Sequence, residues 1–197
     1  MAWMVAWRAG EGKPAPGWLE ARMPLAYNPA LTMPILDEHS LDFISHGPEQ
    51  TQRLGVRLGE LLRPGDVICL AGDLGSGKTT LAQGIARGWG AVDLVTSPTF
   101  VLINEYRRAD SARLLHLDAF RLNSLKEAKA LGLVELLEQP APILIEWPER
   151  LEGLLPPESL QVSLQWADDL RRTVRMEAHG ARFERLLRQV RQAAFGG

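Results

Sequence analysis

The chain has 197 residues, with 22 Lys plus Arg against 24 Asp plus Glu and a formal net charge of −2. That balance excludes a general basic coat for nucleic acid, which needs a surplus of cations. The single cysteine, Cys69, excludes an intrachain disulfide and a cysteine-built zinc site. No apolar run reaches the ~18 residues of a membrane span. Together with 46% hydrophobic and 23% charged residues, this reads as a globular chain of a reducing cytoplasm, with no membrane association.

Residues 1–34 carry Trp3, Trp7 and Trp18, a Gly/Pro-rich stretch from Gly10 to Gly17 and no clean period. They read as a loosely ordered extension or an upstream mis-start ahead of Met33. From there strands and helices alternate. Leu54, Leu58, Leu61 and Leu62 recur at helical spacing over 48–62, with Pro48 in the first turn. A turn at Arg63-Pro64-Gly65-Asp66 leads into the apolar run Val67–Ala71, as a strand buried on both faces requires. A Gly-rich loop and a helix over 78–89 follow. Residues 100–107 and 112–118 read as strands joined by a turn at 108–111, and 124–138 as one helix. Residues 142–146 read as another strand, and 160–166 with 173–178 as an antiparallel pair. Residues 181–195 form an Arg-rich amphipathic helix with Phe183, Leu186, Leu187, Val190 and Phe195 on its apolar side. The expected class is α/β: a P-loop NTPase-like three-layer fold, with a mixed sheet flanked by helices. Its organisation is an extension over 1–34, a single P-loop domain over 35–180 and a C-terminal amphipathic helix over 181–197.

Gly72-Asp73-Leu74-Gly75-Ser76-Gly77-Lys78-Thr79 satisfies every fixed position of G-x-x-x-x-G-K-[ST] and lies between a strand and a helix. Glycines let the backbone curl so that successive N–H groups face phosphate oxygens, and the following helix points its positive end at the same place. Lys78 can reach the terminal phosphates and the Thr79 hydroxyl can bind Mg²⁺, with Thr80 adding a second hydroxyl. Lys78 is one of only four lysines in the chain.

Two acids close strands that point toward this loop: Asp118 at the end of Leu114-Leu115-His116-Leu117-Asp118, and Glu146 at the end of Ile143-Leu144-Ile145-Glu146. Ligands of parallel sheets bind beyond the carboxyl ends of the strands. Either acid could hold the metal or orient water. His116 shares the face of Asp118 by strand alternation and is either catalytic or a structural, hydrogen-bonded histidine. Ser97-Pro98-Thr99-Phe100 is either a switch ordered by the γ-phosphate or a plain turn. Trp147 either caps the core or makes a contact. On the last helix, Arg182, Arg185, Arg188 and Arg191 form either a solvated face or a surface for nucleic acid. None of the lysines sits in a guanine-specifying [NT]-K-x-D motif, which favours ATP.

Four segments in order resemble the TsaE (YjeE) family: the loop from Gly72 to Thr80, Ser97-Pro98-Thr99-Phe100, His116-Leu117-Asp118-Ala119-Phe120-Arg121, and Ile145-Glu146-Trp147-Pro148-Glu149. The similarity spans roughly residues 45–178. The resemblance implies a Mg²⁺-dependent ATPase, weak alone, that acts in tRNA N6-threonylcarbamoyladenosine synthesis on a TsaB–TsaD heterodimer and meets tRNA only through that complex. By position it implies that Gly75, Ser76, Gly77, Lys78, Thr79 and Thr80 bind the phosphates, and that Thr79 and Glu146 lie at Mg²⁺. It makes Asp118 the Walker B-like acid and Lys78, Asp118 and Glu146 the catalytic set. Ser97, Thr99, His116 and Trp147 are implied as switch- or partner-linked, and Pro48, Thr51 and Arg172 as lying toward the nucleoside. Phe120 departs from the tyrosine usual in the family. Two other readings fit the same loop: a small-molecule kinase, and an ATP-dependent interaction protein in which hydrolysis is incidental.

Overall fold

The computed structural model describes residues 39–93 and 102–195. Its central element is the apolar run Val67–Ala71, strand β2 of a seven-stranded sheet. β1 is Ser40–Ser45, β3 Ile103–Arg107, β4 Arg113–Asp118, β5 Ile143–Glu146, β6 Ser159–Trp166 and β7 Arg172–His179. The order across the sheet is β1-β7-β6-β2-β5-β4-β3. β6, β2, β5 and β4 run parallel to one another, while β3, β7 and β1 pair antiparallel with their neighbours. β2 and β5 lie inside the sheet and are covered on both faces, which is why both sequences are continuously apolar rather than alternating.

Alternation along these strands separates two cores. Ile68, Leu70, Leu144, Val162, Leu164 and Val174 face helices α1 (Pro48–Gly59), α2 (Lys78–Trp89) and α5 (Ala181–Phe195). Val67, Cys69, Leu115, Leu117, Ile143 and Ile145 face α3 (Leu125–Ala130), α4 (Leu133–Leu137) and a 3₁₀ turn over Pro148–Leu151. The result is the expected three-layer α/β fold on a mixed sheet. Burial among apolar neighbours pushes the Cys69 thiol up to about 12, so it packs as a small hydrophobe. No helix among the described residues is long and apolar enough to cross a membrane.

β2, α2 and α5 match the sequence-based boundaries. The helix expected over 124–138 is instead two short ones. Ser124 accepts a hydrogen bond from the Glu127 amide while the Glu127 carboxylate accepts one from the Asn123 amide, which starts α3. Gly132 then takes a left-handed φ of 74°, ending that run and opening α4. Strand β1 was not anticipated. It is an edge strand that turns Leu41 and Ser45 inward and leaves Ile44 exposed.

The α1–α2 contact is unusually close. Cβ atoms added at Gly55, Gly59, Gly84 and Gly88 would lie 2.5, 2.0, 2.3 and 1.9 Å from backbone carbonyl oxygens of the facing helix. Backbone packs on backbone there, which sets the height of α2 over the sheet. α5 is anchored by Arg182, which donates to Asp66 Oδ1 at 3.0 Å, to Asp66 Oδ2 at 2.6 Å and to the Leu61 carbonyl at 2.9 Å. Arg191 donates to the Ser40 carbonyl. Arg182 and Arg191 of the helix face thus hold the helix to the body.

Candidate functional site

The loop from Gly72 to Gly77 joins the end of β2 to the start of α2. Gly72 has φ 137°, and a Cβ there would meet the Leu164 carbonyl oxygen at 2.2 Å, so only glycine fits between β2 and β6. Gly77, with φ 106°, is the N-cap of α2. Lys78 is 4% exposed, and its Nζ donates to the carbonyls of Gly72 at 2.7 Å and Asp73 at 2.9 Å. Burial lowers the Lys78 ammonium from its ordinary range, and Glu146, Glu149, Asp118 and Asp73 oppose that shift. Ser76 Oγ is buried without a hydrogen-bond partner.

The parallel register of β4, β5 and β2 brings the two acids to one place. Glu146 pairs with Asp118 on one side and with Leu70 on the other, at the carboxyl end of the sheet where α2 begins. Thr79 Oγ1 donates to Glu146 Oε1 at 3.1 Å and lies 3.4 Å from Oε2. His116 Nε2 is 3.1 Å from Glu146 Oε1. Asp118 Oδ1 accepts the Phe120 amide at 3.0 Å. Burial, and then the Glu146 charge, raise the Asp118 carboxyl, against the lowering effects of that amide, His116 and Lys78. Trp147 follows Glu146 with a left-handed φ of 61°, rare for a bulky residue. Its ring lies under Lys78 Nζ, 3.9 Å from the centroid, and against the Phe120 ring at 4.9 Å.

Lys78, Thr79, His116, Asp118, Glu146 and Trp147 therefore form one constellation. Arg172 flanks it: its guanidinium stacks 3.5 Å from the Trp166 ring centroid, and that ring comes within 3.3 Å of where a Gly75 Cβ would stand. Thr51 is buried and its hydroxyl pairs with Ser45 Oγ at 2.7 Å. Among the described residues no hydrogen bond or ion pair joins Pro48 or Thr51 to the loop. Thr80 lies in the first turn of α2. Ser97 and Thr99 lie outside the described residues, as do residues 1–34 and the Phe195 side chain.

The donor set fits a nucleotide with a divalent cation. The orphaned Ser76 hydroxyl, the left-handed glycines and the buried lysine make a cradle for anionic oxygens. Among the described residues no cluster of three or more His, Cys, Asp or Glu side chains could hold a metal unaided. One hydroxyl and one carboxylate, completed by phosphate oxygens and water, is the donor set Mg²⁺ takes.

A family model described as "Threonylcarbamoyl adenosine biosynthesis protein TsaE" matches residues 45–174. The chain belongs to the TsaE family. The match runs from the last residue of β1 into β7 and so includes the whole TsaE constellation. The TsaE protein of Bacillus subtilis is 38% identical over 143 residues, which cover 73% of this chain and 89% of that protein. The TsaE protein of Nostoc is 42% identical over 127 residues, covering 61% and 75%. A crystal structure of Bacillus subtilis YdiB superposes with a TM-score of 0.64 at 32% identity, covering 78% of this chain and 95% of that one.

Two residues of this TsaE-family site were missed from sequence. Tyr106 touches the far side of His116, its hydroxyl 3.2 Å from Nδ1. Trp166 reaches the loop from the end of β6. Tyr106 had a readable signal, because strand alternation puts it on one face with Asn104, which opposes His116 across β3 and β4. Trp166 had none, because its contact depends on β6 lying beside β2.

Proposed function

We propose that this chain hydrolyses ATP with Mg²⁺, and that its ATP cycle serves tRNA N6-threonylcarbamoyladenosine formation by acting on a TsaB–TsaD heterodimer in the cytoplasm. The observation that carries the reading is the Thr79–Glu146 contact at 3.1 Å, which joins the last residue of the loop motif to a strand-end carboxylate. Membership of the TsaE family supports the pathway.

The roles follow from the hydrogen bonds. Lys78 Nζ, now on two loop carbonyls, turns to phosphate oxygens, and the loop N–H groups with the start of α2 supply further positive potential. Thr79 and Glu146 hold Mg²⁺. When bound, that ion neutralises charge on the phosphate oxygens. Glu146 is already engaged by Thr79 and His116, whereas Asp118 Oδ1 takes a backbone amide and its second oxygen carries no bond among the described residues. Asp118 is therefore the group left to orient water. Slow turnover alone is expected where a partner completes the site.

Phosphate release from ATP tests the chemistry. Lys78→Ala and Glu146→Ala should each lose it, and wild-type turnover in either overturns the site. Reconstitution with TsaB, TsaD, tRNA and threonylcarbamoyl-adenylate tests the partner. Multiple-turnover modification should depend on this chain and on ATP, and no dependence overturns the TsaB–TsaD reading.

A further inference from the structure

We propose that Tyr106 is a positioning residue for Glu146, acting through His116 by gripping the ring at Nδ1, the nitrogen that does not face Glu146. The inference rests on the reading of Glu146 as the Mg²⁺-holding carboxylate. Five side chains from β3, β4, β5 and α2 form one chain of hydrogen bonds. Asn104 Nδ2 lies 3.4 Å from Tyr106 Oη, Tyr106 Oη 3.2 Å from His116 Nδ1, His116 Nε2 3.1 Å from Glu146 Oε1, and Thr79 Oγ1 3.1 Å from the same oxygen. Tyr106 and Glu146 are each 3% exposed and His116 is fully buried, so water does not substitute for these partners.

The direction of the chain follows from what each group can do. A carboxylate only accepts, so Nε2 bears the hydrogen facing Glu146. An amide nitrogen only donates, so Asn104 donates to the Tyr106 oxygen. The Tyr106 hydroxyl, which can donate or accept, grips Nδ1 at 3.2 Å. Glu146 Oε1 is thus held by Thr79 and by an imidazole gripped at both of its nitrogens. Outer partners of a metal-holding group commonly govern metal affinity or activity by about 10–100-fold. Tyr106→Phe deletes one oxygen and leaves the ring in its place.

The test uses the full chain, nucleotide-free and ¹⁵N-labelled. Long-range ¹H–¹⁵N correlations of the His116 ring, identified by their loss in His116→Gln, should show a protonated Nε2. In Tyr106→Phe the Nδ1 resonance should shift as its partner is lost, while Nε2 stays protonated on Glu146. In the same variant, the gain in affinity for a fluorescent ATP analogue on adding Mg²⁺ should weaken about 10–100-fold, while affinity in EDTA stays within about twofold. A wild-type ring with no proton on Nε2 overturns the proposal, as does a Tyr106→Phe variant with an unchanged Nδ1 resonance or an unchanged Mg²⁺ dependence. Neither readout requires hydrolysis. A wild type with the expected ring and Mg²⁺-dependent binding, yet no phosphate release, would support the relay and overturn the ATPase reading alone.

Discussion

Gly84 couples the helix layer to the phosphate loop. A Cβ there would stand 2.3 Å from the Gln52 carbonyl oxygen, 3.0 Å from its carbon and 3.0 Å from Gly55 Cα. All three are backbone atoms, so no side-chain rotation makes room. Reaching ordinary contact at 3.4 Å moves α1 and α2 apart by the difference, about 1.1 Å. In an open helix Gly→Ala stabilises by about 1 kcal/mol. Overpacking typically costs about 1–3 kcal/mol or more, and rigid partners put this site at the upper end. Gly84→Ala should therefore lose about 2 kcal/mol net, a fall in Tm of about 4–8 °C followed by circular dichroism. Because α2 begins at Lys78, the shift reaches the loop. An error of about 1 Å in a catalytic group can cost about 100-fold in rate, so phosphate release should fall by that order. Across the four contacts, the stability cost should follow closeness of approach: Gly88, Gly59, Gly84, then Gly55. An alanine at Gly84 that leaves Tm unchanged or raises it would refute the backbone-on-backbone packing, and a Gly55 variant costlier than Gly88 would refute the ranking.

Arg182→Ala should destabilise by about 3 kcal/mol in urea unfolding, because it strands the buried Asp66 carboxylate; Asp66→Asn in the same chain should recover part of that. Ser76→Ala should raise the stability of the nucleotide-free chain by about 1 kcal/mol in thermal unfolding, by removing an unsatisfied buried hydroxyl, while weakening nucleotide binding. Asp118→Asn should stabilise the nucleotide-free chain at neutral pH and abolish most phosphate release. The folded Asp118 carboxyl is raised, so its contribution is fully present below the unfolded value near 3.8 and is lost as pH rises through the higher folded value. The wild-type-minus-variant difference in stability should therefore fall with pH over that window, and a difference that rises would refute the burial argument.

Sequence legibility followed the range of the physics involved. β2, the loop and α2 were readable because each rests on local signals: an apolar run, glycines, and apolar residues at helical spacing. Asp118 and Glu146 were readable as strand-end acids, and the parallel register of β4 and β5 then brought them together. The break at Gly132 was written as a glycine but masked by leucines on both sides. β1 is short and lies at an edge, so only Leu41, Phe43 and Ser45 carry its inward face. The α1–α2 contact was spelled in glycines four residues apart, Gly55 with Gly59 and Gly84 with Gly88. That spacing marks a close-packed helix face only once the partner helix is known. The Trp166–Arg172 pair lies far along the chain from Gly75, and local periodicity says nothing about such contacts.

The costs of this site and the supports of its scaffold fall on different groups. Lys78 and Asp118 both carry charge in surroundings that disfavour it, and Ser76 Oγ is buried without a partner. Each lies at the carboxyl end of the sheet, where an anionic ligand with its cation would supply what is missing. The supports lie behind it: the glycine contact of α1 with α2, and the Arg182–Asp66 pair, which ties α5 to the turn feeding β2. Asp66 also accepts the Arg63 amide at 2.8 Å, so the turn, the last helix and the root of the loop strand share one carboxylate. A site whose groups are unsatisfied without ligand needs such a frame, since otherwise Lys78 and Glu146 would relax toward each other or toward water. The Tyr106–His116 chain belongs with these supports, for it holds the same Glu146 oxygen that Thr79 holds.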